Sequence, residues 1–334
     1  MEVVKLTEDL EPEWDEFIHQ DPESTFYHQV GWKRVIQESY GHEPIYLISK
    51  DSDAISGVLP MFLMKNRLFG KKLVSIPFGS YGGICGKKDA KERILNRAYN
   101  IFKEKNVDYL ELRGFSKIED MAYSDRYFTL ILNLGDEEEI WNGFNKKVRN
   151  STRKAYKSGL KFDVGDEYLN DFFQLYSQNM HDLGTPTHSI HFFEKLISEF
   201  PETEVCVVQK DNNCIAAMIL FFYNDTVTSG WAASDMNYLK YCPNNILYWE
   251  AIKKHCDNYK YFDFGRSLKD SGTFRFKKKW NAKEKQLYYN YFTKKKLPDT
   301  SKTNQKRKTF SKIWTKLPIS LTNKLGPRLR KNFP

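Results

Sequence analysis

One order of elements occurs twice in this chain, and that repetition constrains the fold more than any single motif. Near the N-terminus two apolar runs, PIYLISKD (44–51) and ISGVLPMFLMK (55–65), flank the turn residues Asp51, Ser52 and Asp53. Runs of that length bounded by turn formers read as paired strands. KLVSIPF then enters the loop Gly79-Ser80-Tyr81-Gly82-Gly83, a helical stretch spans about Ala90 to Lys103, and YLELRGF gives a further strand. The later half repeats this. EVCVVQKD, the turn Asn212-Asn213, CIAAMILFFY and TVTSGWAAS predict an antiparallel meander, followed by a helix from about Asn244 to Cys256 and the strand YFDFG. An offset of 160 places Lys50, Asp51 and Ile55 on Lys210, Asp211 and Ile215. YLELRG and YFDFGR each bring an acid and an arginine to a strand end. The pattern predicts two copies of one α/β (α+β) unit. At 334 residues each copy has chain enough for its own core.

The charge is uneven. Of 52 Lys and Arg, 13 lie in residues 294–334, against one of the 43 acidic residues, Asp299. The tail is therefore near +12 and the body slightly acidic, which argues against a body that grips polyanions generally. Within the tail, Phe310, Ile313, Trp314, Leu317, Leu321 and Leu325 recur every three or four residues, with Pro318 in their midst. That is an amphipathic stretch with basic flanks, expected to contact an anionic membrane surface. The start, MEVVKLTEDL, lacks an apolar run after a basic segment, and no stretch is long and apolar enough to span a bilayer, so the expected location is cytoplasmic, peripheral at the inner face of the membrane. Cys85, Cys206, Cys214, Cys242 and Cys256 form no CxxC pair, and no disulfide framework is expected.

The chemistry concentrates in YFDFGRSLKDSGTFRFKKKW (261–280). Tyr261, Phe262 and Phe264 read as a strand with Asp263 between them, Gly265 permits a turn, and Arg266 and Ser267 fall where the strand runs out. After the Lys-Asp-Ser-Gly loop, Phe274 and Phe276 alternate with Arg275 and Lys277, predicting a second strand with Lys277 on its polar face. Cations at such an edge suit an anionic or carbonyl-bearing ligand; a solvated basic hairpin is the plain alternative. Asp263 and Glu111 are the candidate general bases, each with an internal ion pair (to Arg266 or Arg113) as the competing reading, favoured for Glu111. The basic helix KKVRNSTRKAYKSGL (146–160) could hold phosphates through Arg149 and Arg153, or be a solvated surface helix. SYGGICGKK lacks the Walker spacing, so Tyr81 is read as a ring and hydroxyl on a ligand-facing turn or as part of a structural one. His181, His188 and His191 lack a carboxylate or thiol at metal-ligand spacing, so no metal is expected.

FDFGRS and SGTFRFKKKW resemble the C-terminal signature of the FemAB-like branch of the GNAT acyltransferases, and in particular FemAB-related proteins associated with exosortase-type export. FYHQVGWKRVIQESYGH (26–42), VSIPFGSYGGICG (74–86), YLELRG (109–114), KKVRNSTRKAYKSGL, DLGTPTHS (182–189) and YCPNNILYWEAI (241–252) resemble it in the same order. The resemblance implies tandem GNAT-like domains, each a mixed, mainly antiparallel sheet flanked by helices. They are expected over 1–135 and 136–293, with 294–334 as the tail. It implies transfer of an acyl or aminoacyl group to an amine of a cell-envelope or polysaccharide-related substrate, small or lipid-linked. No cofactor is bound permanently; acyl-CoA or aminoacyl-tRNA is the co-substrate. Asp263, Arg266 and Lys277 are the expected catalytic set. Tyr81, Arg149, Arg153, His188, Asn245, Tyr248, Ser267 and Phe276 are expected to bind substrate, since the family's Phe-Lys pair near the reacting acyl group matches Phe276 and Lys277. Two departures leave the donor open: the Q/R-x-x-G-x-G/A pyrophosphate loop is not evident, and the long helical-hairpin insertion of peptidoglycan-bridge enzymes is missing. A binding module that holds an export-linked lipid or polysaccharide intermediate without catalysis is the alternative.

Overall fold

The computed structural model describes residues 2–66, 70–294, 297 and 305–334, with side chains omitted at 306 and 307; much of the Lys/Ser/Thr-rich stretch after Phe292 falls outside them. The chain forms two compact units, one of residues 1–127, 286–300 and 329–334, the other of residues 128–285 and 301–328.

In the first unit, strand Glu2–Lys5 pairs antiparallel with Leu47–Asp51, which turns back as Ala54–Leu59 and meets Cys85–Gly86. A further run of strands comprises Glu43–Pro44, Phe62–Asn66, Gly70–Val74 and Tyr109–Gly114, with Tyr288–Thr293 beside the last. Helix Lys88–Glu104 turns Ala90, Ile94, Ala98, Ile101 and Phe102 inward at helical spacing, onto Leu47, Leu59 and Leu110. In the second unit, strands Lys161–Val164, Glu204–Lys210, Asn213–Tyr223 and Thr226–Ser234 form the expected meander, extended by Tyr261–Asp263 and Ile131–Asn133. Nearly every residue of Asn213–Tyr223 is buried, as a central strand covered on both faces requires. Helices Leu169–Asp182 and Ile190–Glu199 lie between its first and second strands, and Pro243–His255 follows Thr226–Ser234.

The first strand pairs of the two units repeat one another residue by residue. Glu2 to Lys5 pair with Lys50 to Leu47 as Lys161 to Val164 pair with Gln209 to Cys206, an offset of 159 throughout. The bulge between Ser49 and Lys50 recurs between Val208 and Gln209 at the same offset. The 160-residue offset is thus one residue too long: Asp51 corresponds to Lys210. Ser52 and Asp211, the corresponding turn residues, both have left-handed backbone, at φ 57° and 51°. In each unit a three-residue parallel ladder ends on a carboxylate, Lys72–Val74 with Tyr109–Glu111 and Thr226–Thr228 with Tyr261–Asp263.

Two expectations change. Phe274 and Phe276 lie on a helix, Gly272–Lys278, not a strand. Ser271 caps it, its Oγ accepting the Phe274 N–H at 3.1 Å. Alternation hides the spacing of three that carries Phe274, Lys277 and Trp280 into the interior. The tail forms two helices, Gln305–Trp314 and Ile319–Arg330, broken around Pro318. Trp314 is buried, Ser311 approaches Gly184, and Thr187 lies against Gly326. His181 donates from Nε2 to the Leu317 carbonyl at 2.9 Å. Part of the amphipathic stripe is therefore spent on docking. Among the described residues no helix is long and apolar enough to cross a membrane.

Candidate active site

The site grows from the parallel ladder of the second unit. Beyond Asp263 the chain turns at Gly265, which holds φ +73° and passes so close to Ser229 that a Cβ would sit 2.8 Å from its carbonyl oxygen. Only glycine satisfies both conditions. The turn is pinned by Asp263, wholly buried, whose Oδ1 accepts the Gly265 N–H at 2.8 Å and the Thr129 hydroxyl. With two donors on one oxygen, Asp263 shapes the turn.

Lys277 completes the arrangement. It is 5% exposed and donates from Nζ to the Gly265 carbonyl at 3.0 Å. Burial pulls its pKa from 10.5 down to about 8, opposed by the attraction of Asp263 and assisted by the repulsion of Arg266. The sequence reading placed this lysine on an exposed polar face; the helix puts it inside. Arg266 is half-buried, and Ser267 beside it is buried with a hydroxyl that has no hydrogen-bond partner among the described residues. Tyr248, on helix Pro243–His255, lies 3.3 Å by its hydroxyl from Ser229 Oγ, and its ring meets those of Phe264, Phe276 and Trp280. Burial raises the Tyr248 phenol above its ordinary pKa, so it stays a neutral donor or acceptor. The structure therefore brings together Asp263, Arg266, Ser267, Lys277, Tyr248 and Phe276. A buried lysine whose pKa is lowered to about 8, beside a cation and the Ser267 and Tyr248 hydroxyls, can stabilise a developing oxyanion and move a proton.

The remaining expected residues make contacts of their own. Tyr81 belongs to the first unit, packed on Phe115 and Tyr27. Arg149 bonds the Asn142 carbonyl, and Arg153 lies exposed over the Trp141 ring, both on the outer side of a helix that turns Val148, Thr152 and Ala155 inward. His188 is fully buried in an aromatic box of Phe192, Tyr176 and Trp231. Asn245 is half-buried at the start of the Tyr248 helix, its N–H bonded to Cys242. Glu111 forms the anticipated ion pair with Arg113, Nε to Oε1 at 2.7 Å, and Arg113 also donates to the Gly79 carbonyl at 2.8 Å. The corresponding place in the first unit is thus filled by its own arginine. No His/Cys/Asp/Glu group suited to a metal occurs among the described residues. Thr129 and Ser229 were not anticipated: a hydroxyl on a strand carries no signal until its partners are known.

Residues 142–278 match the family model described as an acetyltransferase (GNAT) domain. FemX superposes with a TM-score of 0.69 at 16% identity, over 87% of this chain and 97% of that one. A tandem GNAT protein of the clavulanic acid biosynthesis pathway gives 0.58 at 8%, over 89% and 99%. The C-terminal domain of a putative lysylphosphatidylglycerol synthetase from Agrobacterium fabrum gives 0.57 at 10%, over 85% and 91%. No curated relative matches the chain in sequence. The likenesses establish the tandem GNAT fold, and residues 142–278 match an acetyltransferase (GNAT) domain model within it.

Proposed function

We propose that this chain, which carries a GNAT acyltransferase domain, moves an acyl or aminoacyl group from an activated ester or thioester to an amine of a cell-envelope or polysaccharide-related acceptor. The observation that carries the reading is Lys277, buried beside Asp263 and Arg266 at the turn after the parallel ladder, with a pKa near 8. In such a transfer the acceptor amine attacks the donor carbonyl, negative charge gathers on its oxygen, the ester or thioester bond breaks as the amide forms, and the proton lost by the amine ends on the departing alcohol or thiol. Arg266 and protonated Lys277 supply positive charge for that oxygen. The Ser267 and Tyr248 hydroxyls orient the reacting groups, and Phe276 contributes apolar surface beside Lys277.

The donor is read from the connection between strand Thr226–Ser234 and helix Pro243–His255. It is a 3-10 turn over Met236–Tyr241 without a glycine, where a pyrophosphate loop would need close backbone approach. That weighs toward aminoacyl-tRNA over acyl-CoA. The test is transfer of labelled groups from each donor pool to amine acceptors, with mass spectrometry of the products. Product from charged tRNA, lost on Lys277→Met, is the expected result. Activity from neither donor would overturn the reading, and activity from acyl-CoA alone would overturn the choice of donor.

A further inference from the structure

The docked tail splits its apolar residues between two directions. Trp314 and Thr322 face inward, while Leu183 (64% exposed), Ile313 (59%), Leu321 (39%), Phe310 and Ile319 (36% each) stay in water. Two hydrogen bonds tie the segments that carry them into one corner. Ser311 Oγ donates to the Leu183 carbonyl, so the helix that carries Phe310 and Ile313 meets the Leu183 loop. The His181 bond to the Leu317 carbonyl holds the link to the second tail helix, which carries Ile319 and Leu321. Residues 305–328 contain seven cations and no acid, and Lys308, Lys312, Lys316 and Lys324 are exposed.

We propose that this corner, the Leu183 loop with the outer faces of helices Gln305–Trp314 and Ile319–Arg330, is a preformed docking surface for an anionic lipid bilayer. Exposed aliphatic side chains interleaved with lysines match both layers of an interface, hydrocarbon and charged headgroup. A nucleic acid would answer the lysines but leave Leu183, Ile313 and Leu321 unexplained, since a phosphate backbone offers them nothing apolar. The surface differs from a disordered basic tail because its helices are already fixed by Trp314, Ser311 and Gly326, so binding loses little chain entropy. It is independent of the acyl-transfer reading, and its test contains no activity measurement.

The full chain should sediment with vesicles containing phosphatidylglycerol and not with pure phosphatidylcholine, and should release as salt rises, because exposed charges are screened. Ile313→Asp/Leu321→Asp should weaken vesicle binding by roughly tenfold or more with an unchanged melting temperature, since neither side chain is in the docked face. Lys312→Gln/Lys316→Gln should also weaken it and flatten the salt dependence. Failure to bind anionic vesicles, or undiminished binding by the Asp double variant, overturns the proposal. So does binding of an RNA homopolymer without vesicle binding, or a dimer that the Asp variant dissociates while vesicles are ignored.

Discussion

Replacing Lys277 by methionine should separate the cost of burying the lysine from its use. Its amine is driven from a pKa of 10.5 to about 8, a shift that already includes the attraction of Asp263. At 1.36 kcal/mol per pKa unit, keeping the ammonium inside below pH 8 costs about 3 kcal/mol. Because the folded pKa is the lower one, the unfolded chain binds more protons between about pH 8 and 10.5, so wild-type stability rises with pH across that window. Methionine fills similar volume and removes this dependence, but leaves the Gly265 carbonyl without its 3.0 Å donor, at a cost of about 1–3 kcal/mol. At pH 7 the variant should be as stable as the wild type or more so. Between pH 7 and 10 the difference should move in favour of the wild type by about 2.5 kcal/mol, read from urea midpoints in both proteins. Transfer should fall roughly 10²-fold or more, the scale of a lost electrostatic stabiliser. A difference that stays flat with pH, or a variant less stable at pH 7 by several kcal/mol (more than about 3), would refute the burial argument. The direction of the wild-type rate limb near pH 8 assigns the role: falling above it if the ammonium is needed, rising if the free amine is.

Gly265→Ala should cost at least about 2 kcal/mol and abolish transfer, because the new Cβ meets the Ser229 carbonyl at 2.8 Å in a left-handed backbone; a fully active variant with an unchanged melting point sinks the account of the turn. Trp314→Ala should lower stability by about 3 kcal/mol, as expected for emptying a buried aromatic site, whereas an undocked tail would give no change in a thermal melt. Arg266→Ala should slow transfer roughly 10²-fold while the exposed Lys279→Ala stays near wild type; equal rates in the two would remove Arg266 from the site.

The sequence by itself determined the duplication, because strand pairing leaves period-two apolar runs and turn residues at fixed offsets, and Lys50/Asp51 against Lys210/Asp211 missed the true register by one residue only. It also determined the meander and the two helices, expected at about 90–103 and 244–256 and found at Lys88–Glu104 and Pro243–His255. The ion pair of Glu111 with Arg113 was legible too, since two residues on one strand face the same side. Only the tertiary structure decided the rest. Phe-Arg-Phe-Lys satisfies a strand pattern and a helix pattern equally over so few residues, and the Ser271 cap with the pocket under Trp280 selects the helix. That selection turns Lys277 from a surface charge into a buried one. Arg149, Arg153 and His188 carry the right chemistry, yet packing sends two outward and one into an aromatic box. The tail is the same case: its amphipathic period is written in the sequence, but which of Trp314 and Ile313 faces the body depends on a loop more than a hundred residues away, at Gly184 and Thr187. Local propensity can specify an element and its faces; which face is buried is set by the neighbour it meets.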